Sequence, residues 1–81
     1  MHMAGGNVTI VVKLFASFRQ GRFREASRSY PAGASIADVI ADLAIDPKEI
    51  GMIFIAGRHA DPDCVLTAGD QLALFPLLGG G

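Results

Sequence analysis

The chain begins with a strand pattern. Apolar side chains recur at every second position over residues 8–15 and form one face: Val8, Ile10, Val12 and Leu14. This alternation, rich in β-branched residues, predicts a β-strand. A weaker strand is predicted over residues 24–30, after a turn signal at Gly21, and we expect it to pair antiparallel with the first. Phe18, in the connection between the two, is expected to fill the core.

A helical spacing replaces this alternation in the middle of the chain. Four apolar residues fall at positions i, i+3, i+4 and i+7 and so share one helical face: Ile36, Val39, Ile40 and Leu43. Ser35 followed by Asp38 has the pattern of a capping box, so the helix is expected to begin just after Ser35. The Asp46-Pro47 pair is expected to end it, because proline disfavours helical geometry in the residue before it.

The rest of the chain returns to strand patterns. Residues 52–56 form a continuous apolar run of strand length, which is typical of a central strand covered on both faces. A short strand is predicted at residues 59–60 and a last strand at residues 71–75. Pro76 then removes a backbone donor and is expected to release the chain from the sheet.

The order of these elements predicts an α+β fold. A hairpin, one helix and further strands are expected to form a mixed sheet of four to five strands, with the helix packed on one face. We expect the first and last strands to lie side by side in the centre. Residues 7–76 would form the single domain, residues 1–6 a disordered N-terminus or tag remnant, and residues 77–81 a flexible tail.

Composition narrows the possible functions. Apolar residues make up 51% of only 81 residues, which favours a rich core together with an apolar docking patch on the surface. The net charge of −1 argues against a nucleic-acid binder. A local basic patch is the alternative to a solvated surface for four arginines: Arg19, Arg22, Arg24 and Arg28. No apolar run is long enough to cross a membrane, and the single cysteine without a signal-peptide pattern leads us to expect a cytoplasmic location.

The residues around Cys64 do not match a known catalytic or metal-binding pattern. Four potential ligands are close in sequence, namely His59, Asp61, Asp63 and Cys64. Their spacing does not match a zinc or calcium motif, so no metal is expected. Cys64 also has no histidine paired with it by motif, and a small, inert thiol is the favoured interpretation.

The C-terminus carries the most specific chemical signal. Three glycines end the chain shortly after the last predicted strand: Gly79, Gly80 and Gly81. Because glycine has no Cβ, such a tail can lie extended in a narrow channel, and its five residues could reach about 17 Å. Our hypothesis is that the Gly81 carboxylate is the reactive group and that the domain is its handle. A plain flexible tail or an expression scar is the alternative.

Several segments match a known family in their order and spacing: residues 12–16 with Phe18 and Arg19, residues 33–40, residues 68–76, and Gly80-Gly81. Together they resemble the β-grasp, ubiquitin-like sulfur carriers of the MoaD/ThiS type, which are the small subunit of molybdopterin synthase and its relative in thiazole synthesis. Two positions depart from that pattern. Leu77 stands where the molybdopterin branch usually has a second proline, and Gly79 adds a third glycine before the pair.

The resemblance implies a β-grasp fold and a carrier rather than an enzyme. An E1-like adenylating enzyme of the MoeB/ThiF type would use ATP to adenylate Gly81, and sulfur from a persulfide would convert it to a thiocarboxylate. The carrier itself would bind no cofactor. Its other partner would be a molybdopterin synthase large subunit (MoaE type) or a thiazole synthase. We expect partner contacts at three apolar residues: Phe75, Leu77 and Leu78.

Three classes of function remain open at this point. The favoured one is a sulfur carrier for molybdenum or tungsten pterin cofactor synthesis. A carrier for another pathway, such as thiazole synthesis, is the second. The third is a protein modifier that joins Gly81 to target lysines, or an interaction module of the same fold.

Overall fold

The structure, a computed structural model, describes residues 6–77, so the expectations for residues 1–5 and 78–81 lie outside it. The described range contains five strands and one α-helix, with two strands before the helix and three after it. Their bounds are β1 Asn7–Leu14, β2 Glu25–Pro31, α1 Ile36–Asp42, β3 Ile50–Ile55, β4 Arg58–His59 and β5 Gln71–Pro76. Two short 3₁₀ turns lie at Ala16–Arg19 and Pro47–Glu49. No helix between residues 6 and 77 is long and apolar enough to span a bilayer.

The strands form one five-stranded sheet in the order β2-β1-β5-β3-β4. β1 and β5 are parallel neighbours, and the other neighbouring pairs are antiparallel. The sheet is therefore mixed, with β5 in the middle and β1 beside it. This confirms the predicted α+β fold and the central pairing of the first and last strands.

The core lies between α1 and one face of the sheet. The strand residues that point to the helix are fully or almost fully buried: Ile10, Val12, Leu14, Ile53, Leu72 and Leu74. The predicted apolar face of the helix packs onto them, and Ile36, Val39, Ile40 and Leu43 are all buried. Phe18 is only 3% exposed, which confirms that its side chain, in the connection after β1, packs in the core. We call the opposite side of the sheet, away from α1, the open face.

The start of α1 follows the predicted capping box. Ser35 Oγ accepts from the Asp38 amide at 3.4 Å, and Asp38 Oδ2 accepts from the Ser35 amide at 2.8 Å. Two amides that the helix cannot pair internally are thereby satisfied. The carboxylate of Asp38 also lies in the first turn, where the helix dipole favours negative charge.

The predicted end of the helix was wrong, because α1 stops at Asp42, well before the Asp46-Pro47 pair. Leu43 is the C-cap, and Ala44 takes a left-handed conformation with φ of 58°. The Arg22 guanidinium donates to the carbonyls of Leu43 at 2.9 Å and Ala44 at 3.2 Å, so the exposed helix end is satisfied from a distant segment. Asp46 instead caps the following 3₁₀ turn, where its Oδ1 accepts from the amide of Lys48 at 2.9 Å.

The strand predicted over residues 52–56 has a neighbour on each side, β5 and β4, but the expectation that both its faces are covered was wrong. β3 lies next to the edge strand β4, and only its helix-facing side is covered. Ile53 is buried, whereas Met52 is 40% exposed and Phe54 is half-buried. Because both faces of this strand carry apolar residues, its continuous apolar run concealed the alternation between a buried side and an open one.

Candidate functional site

The C-terminal tail leaves the sheet from its central strand. β5 runs through Pro76, which pairs with Ile50 of β3. The amide of Leu77 then donates to the carbonyl of Glu49 at 2.8 Å. The expectation that Pro76 releases the chain was therefore wrong, since the backbone stays attached to the neighbouring strand as far as Leu77. We call Pro76 and Leu77 the tail root.

A β-bulge in β3 faces this root. Ile50 pairs with Pro76 and Met52 with Phe75, so Gly51 is an extra residue between them. A Cβ atom added at Gly51 would lie 2.7 Å from the carbonyl oxygen of Pro76 and 3.1 Å from the Cα of Leu77. Only glycine allows the two backbones to approach this closely. Gly51 was not predicted from the sequence, although a glycine beside an apolar strand run is a known signal for a bulge or a close approach.

The structure locates two of the residues predicted to bind a partner. Leu77 is 61% exposed, a high value for a large apolar side chain. Phe75 is half-buried on the open face, two residues before Leu77. The other predicted site residues, Leu78, Gly79, Gly80 and Gly81, lie outside the described residues. The roles assigned to all of them remain predictions.

Phe75 belongs to a row of rings that crosses the open face. It stacks on Phe15 with ring centroids 4.1 Å apart and an angle of 9° between the planes. On its other side Phe54 meets it edge-on at 5.8 Å, and His59 meets Phe54 edge-on at 5.6 Å. We call Phe15, Phe75, Phe54 and His59 the aromatic row. The two edge-on contacts have a geometry that aromatic pairs favour, so the row is an ordered, mainly apolar surface that passes beside the tail root.

The aromatic row was not predicted beyond Phe75. Phe15 follows β1 directly, Phe54 lies in β3 and His59 in β4, so these rings meet only after the sheet has formed. A signal was nevertheless present in the alternation of the strands. Phe54 lies between two residues that pack toward the helix, Ile53 and Ile55, and its side chain must point to the opposite face.

Basic side chains border one end of the row. The Arg19 guanidinium lies 5.3 Å from the centre of the Phe15 ring, and its Nε donates to the carbonyl of Leu14 at 2.7 Å. A groove on the open face is lined by Phe15 and Arg19 together with Lys13, Arg24 and Glu25. Three of these four charged residues are basic. The row is therefore apolar at its centre and mainly cationic at this edge.

The four arginines considered as a basic patch do not form one. Arg22 donates to backbone carbonyls at the end of α1, and Arg28 forms an ion pair with Asp42 at 2.8 Å. Of the four, Arg19 and Arg24 line the groove on the open face. The local basic patch is thus smaller than the sequence allowed, and it adjoins the aromatic row.

The Arg28–Asp42 pair lies on the helix side of β2, away from the tail root. Hydrogen bonds from Arg28 and from the hydroxyl of Tyr30, at 3.0 Å, lower the pKa of Asp42 below its ordinary value. Burial raises the pKa of Tyr30, so its hydroxyl stays protonated and able to donate. These contacts connect α1 to β2 and point to a structural role.

Within residues 6–77, the side chains of histidine, cysteine, aspartate and glutamate form no group of three or more that could hold a metal ion. Cys64 is exposed, and its thiol lies 3.8 Å from the carbonyl of Val65. His59 is turned toward the ring of Phe54. The structure therefore gives these residues no joint chemical role.

Comparison with known proteins connects this geometry to a family. A model of the ThiS family matches residues 12–81, which is most of the chain and includes its C-terminal glycines. The chain belongs to the ThiS family. A comparison with curated protein sequences finds no significant match.

Solved structures agree with the ThiS assignment. A Pyrococcus furiosus protein assigned as molybdopterin converting factor, subunit 1, is 32% identical, with a TM-score of 0.69 over 85% of this chain and 97% of that one. Small archaeal modifier protein 1 of Haloferax volcanii is 25% identical, with a TM-score of 0.70 over 85% and 97% of the two chains. Ubiquitin of Caldiarchaeum subterraneum shares the fold, with a TM-score of 0.63 at 16% identity over 94% and 100%. These matches confirm the β-grasp fold.

Membership in the ThiS family narrows the classes of function that the protein can have. The ThiS and MoaD type comprises small ubiquitin-like sulfur carriers and modifiers that are generally not catalysts themselves. Its members generally work with E1-like adenylating enzymes and with synthase subunits. The tail root and the aromatic row are the described features that such partners could recognise.

Proposed function

We propose that this protein is a sulfur carrier whose C-terminal carboxylate, on Gly81, is activated and converted to a thiocarboxylate. The match of the ThiS family model through Gly81 is the observation that carries the proposal. We further propose that the carrier serves as the small subunit of a molybdopterin synthase. The 32% identity to the Pyrococcus furiosus protein supports this choice of pathway.

The chemistry needs an enzyme that supplies the activation, since a carboxylate is a poor electrophile. In the proposed sequence, the Gly81 carboxylate attacks the α-phosphate of ATP on an E1-like enzyme of the MoeB/ThiF type, and pyrophosphate leaves. A persulfide sulfur then attacks the acyl carbon and displaces AMP. A thiol reductant cleaves the resulting acyl disulfide and leaves the thiocarboxylate. The carrier holds no cofactor in this scheme, and ATP is consumed by its partner.

The carrier's own contribution is recognition and delivery. We propose that the aromatic row and Leu77 bind the activating enzyme and, in turn, the large subunit of the synthase (MoaE type). The row passes beside the tail root, because Phe75 is an inner member of the row and lies two residues before Leu77. A protein that covers the row is therefore placed within reach of the tail. Large, partly exposed aromatic side chains are common energetic centres of interfaces.

The charges around the row suggest the character of the partner surface. Lys13, Arg19 and Arg24 border the row near Phe15. A complementary surface would be apolar in its centre and acidic at the matching edge. The proposal also assigns the protein to the cytoplasm, because a thiocarboxylate and the exposed thiol of Cys64 persist in a reducing compartment.

The decisive experiment is the intact mass of the protein after incubation with an E1-like enzyme, ATP and a sulfur donor. The expected result is a gain equal to the exchange of one oxygen for one sulfur, absent from a variant that lacks Gly81. No gain with an enzyme that modifies its own cognate carrier would overturn the carrier function. The thiocarboxylate form is then offered to a molybdopterin synthase large subunit and to a thiazole synthase. Sulfur transfer only in the second case would move the protein to the thiazole pathway.

A modifier function is the second candidate, and the likeness to small archaeal modifier protein 1 favours it. In that case the activated Gly81 would acylate a lysine amine and form an isopeptide bond. Adducts of the protein on other proteins, resistant to reducing agents and lost without Gly81, would support this function over sulfur transfer.

A further inference from the structure

We propose that Gly51 is a positioning residue that sets the direction in which the C-terminal tail leaves the sheet. The catalytic consequence of this role rests on the function proposed above, but its geometric part does not. Gly51 contributes no side chain to any partner. It acts on the tail through the backbone of Pro76 and Leu77.

The first argument is the place of the bulge. β-bulges bend a strand and re-aim the residues beside them. Here the ladder between β3 and β5 continues beyond the bulge, with Ile50 opposite Pro76 and the Glu49 carbonyl bound by the Leu77 amide at 2.8 Å. The bulge therefore does not simply end the sheet. It lies at the point where the paired strand becomes the tail.

The second argument is the identity of the atoms that surround Gly51. A Cβ there would meet the Pro76 carbonyl oxygen at 2.7 Å, the Pro76 carbonyl carbon at 3.0 Å and the Leu77 Cα at 3.1 Å. All three are backbone atoms, so no side chain can rotate away to relieve the contact. A residue larger than glycine must therefore push the backbones of β3 and the tail root apart.

The other glycines within residues 6–77 are required for a different reason. Gly57 and Gly69, for example, have φ of +80° and +87°, and a Cβ at either would meet nothing within 4 Å. Glycine is favoured at these positions because of the backbone conformation of a turn. At Gly51 the need for glycine is steric, and the three nearest atoms all belong to the tail root.

A small change at the root has a large effect at the reactive end. The four residues that follow Leu77 span at most about 14 Å when fully extended, so in the extended form that a narrow channel would require, a tilt of about 20° at the root would displace the terminal carboxylate by about 5 Å. Misplacement of a reacting group by about 1 Å can cost a factor of about 100 in rate. The exit direction is thus a property on which adenylation would depend strongly.

The test compares Gly51→Ala with Gly57→Ala. The control also replaces a glycine at one end of β3, and it strains the turn to β4 without touching the tail. Amide hydrogen exchange by NMR reports on the root without any enzyme. We expect the Leu77 amide to exchange at least about tenfold faster in Gly51→Ala than in wild type, whereas Gly57→Ala leaves its rate unchanged after correction for global stability.

Kinetics with the E1-like enzyme supply the second readout. We expect Gly51→Ala to lower the kcat of thiocarboxylate formation by about tenfold or more and to change KM less than kcat, because the aromatic row is untouched while Leu77, one of the proposed contacts, is displaced. A general loss of stability would instead affect both glycine variants alike.

Each outcome decides the proposal. An unchanged Leu77 exchange rate in folded Gly51→Ala would overturn it, and so would faster exchange with the same kcat as Gly57→Ala. If wild-type protein is never converted to a thiocarboxylate, the proposed function fails and the exchange data alone decide the role of Gly51. If Gly51→Ala does not fold, the exchange rate of the Leu77 amide in wild type is the deciding measurement. An amide that exchanges as fast as in an unstructured peptide would show that the tail root is not anchored to β3, and would overturn the proposal.

Discussion

Arg22 joins the turn after β1 to the end of α1 through a single side chain. Its guanidinium donates to the carbonyls of Phe18 at 3.1 Å, Leu43 at 2.9 Å and Ala44 at 3.2 Å. Hydrogen bonds that involve a charged group are stronger than neutral ones, so one arginine satisfies carbonyls that would otherwise face water at a helix end. This residue is used by the fold and is not free to bind a partner.

Leu77 provides the most direct test of the docking surface. We predict that Leu77→Asp weakens binding to the activating enzyme and to the synthase large subunit by about tenfold or more, because it places a charge in an apolar contact. The fold should be retained, since Leu77 is 61% exposed. Binding is measured by calorimetry and folding by circular dichroism.

The matched control for this prediction is Val65→Asp. Val65 is 57% exposed and does not belong to the tail root or the aromatic row, so the same change in charge should leave affinity unchanged. Equal affinities of Leu77→Asp and wild type for both partners would show that Leu77 does not take part in docking.

Asp42 makes stability depend on pH in a defined direction. Its folded-state pKa is lowered by hydrogen bonds from Arg28 and Tyr30, so its stabilising effect is complete above the unfolded value near 3.8 and is lost as pH falls through the folded value. We predict that wild type loses more stability than Asp42→Asn when the pH falls from about 5 to about 2. Urea unfolding at each pH measures the difference.

Asp63→Asn is the control for this experiment, because the described residues offer no ion pair to Asp63 and it lies in an exposed loop. It should follow the wild-type pH profile closely. Parallel profiles for wild type and Asp42→Asn would mean that the ion pair seen in the structure has no energetic effect.

The end of α1 shows an element whose length is decided by tertiary contacts. Ala44 adopts φ of 58°, a conformation that costs an alanine about 1 kcal/mol and that glycine adopts freely. We predict that Ala44→Gly raises the free energy of unfolding by about 0.5–1 kcal/mol. Chemical denaturation would measure the gain.

Ala41→Gly, within α1, is expected to change the free energy of unfolding in the opposite direction. Ala41 is exposed within α1, so glycine there should lower the free energy of unfolding by about 1 kcal/mol. If Ala44→Gly destabilised the protein as Ala41→Gly does, the left-handed conformation at Ala44 would be wrong.

Local elements were predictable where their determinants are local. The capping box needs only Ser35 and Asp38, three residues apart, and the helix face repeats within two turns. The end of the helix was not predictable, because it depends on Arg22 from another segment and on an alanine where glycine is usual. The bulge at Gly51 depends in the same way on the approach of Pro76, which is far away in sequence.

At the scale of the molecule, the aromatic row unites rings from four segments of the chain. We predict that Phe54→Ala lowers affinity for the activating enzyme by about tenfold or more, since Phe54 contacts both Phe75 and His59. Its stability should fall by only about 1–2 kcal/mol, because the ring is half-buried. Surface plasmon resonance and thermal unfolding measure the two effects.

Phe23→Ala is the matched control for Phe54→Ala. Phe23 is also a half-buried phenylalanine, and it packs against the core beside Arg28 rather than in the row. It should lose a similar amount of stability and keep its affinity. A similar loss of affinity in both variants would assign the effect to folding.

At the scale of the whole molecule, the fold predicted from the sequence was correct, and the predicted site residues remain predictions. Strand and helix periodicities predicted the α+β layout, and the resemblance to the MoaD/ThiS-type carriers implied the β-grasp fold. Phe75 and Leu77 were anticipated because they adjoin the glycines in sequence. Phe15 and Phe54 were not, because a row across strands exists only once β1, β5 and β3 are neighbours.

Because β5 is both the last strand in sequence and the middle strand of the sheet, the fold that holds the tail can form only when the chain has been made through β5. β5 is the last strand in sequence, yet it separates β1 from β3 and contributes two fully buried leucines, Leu72 and Leu74. During synthesis the two halves of the sheet cannot join until this strand has left the ribosome. A chain truncated before β5 would lose its core together with the C-terminal residues that carry the proposed chemistry. Unfinished copies would thus be excluded from the proposed activation without any separate inspection step.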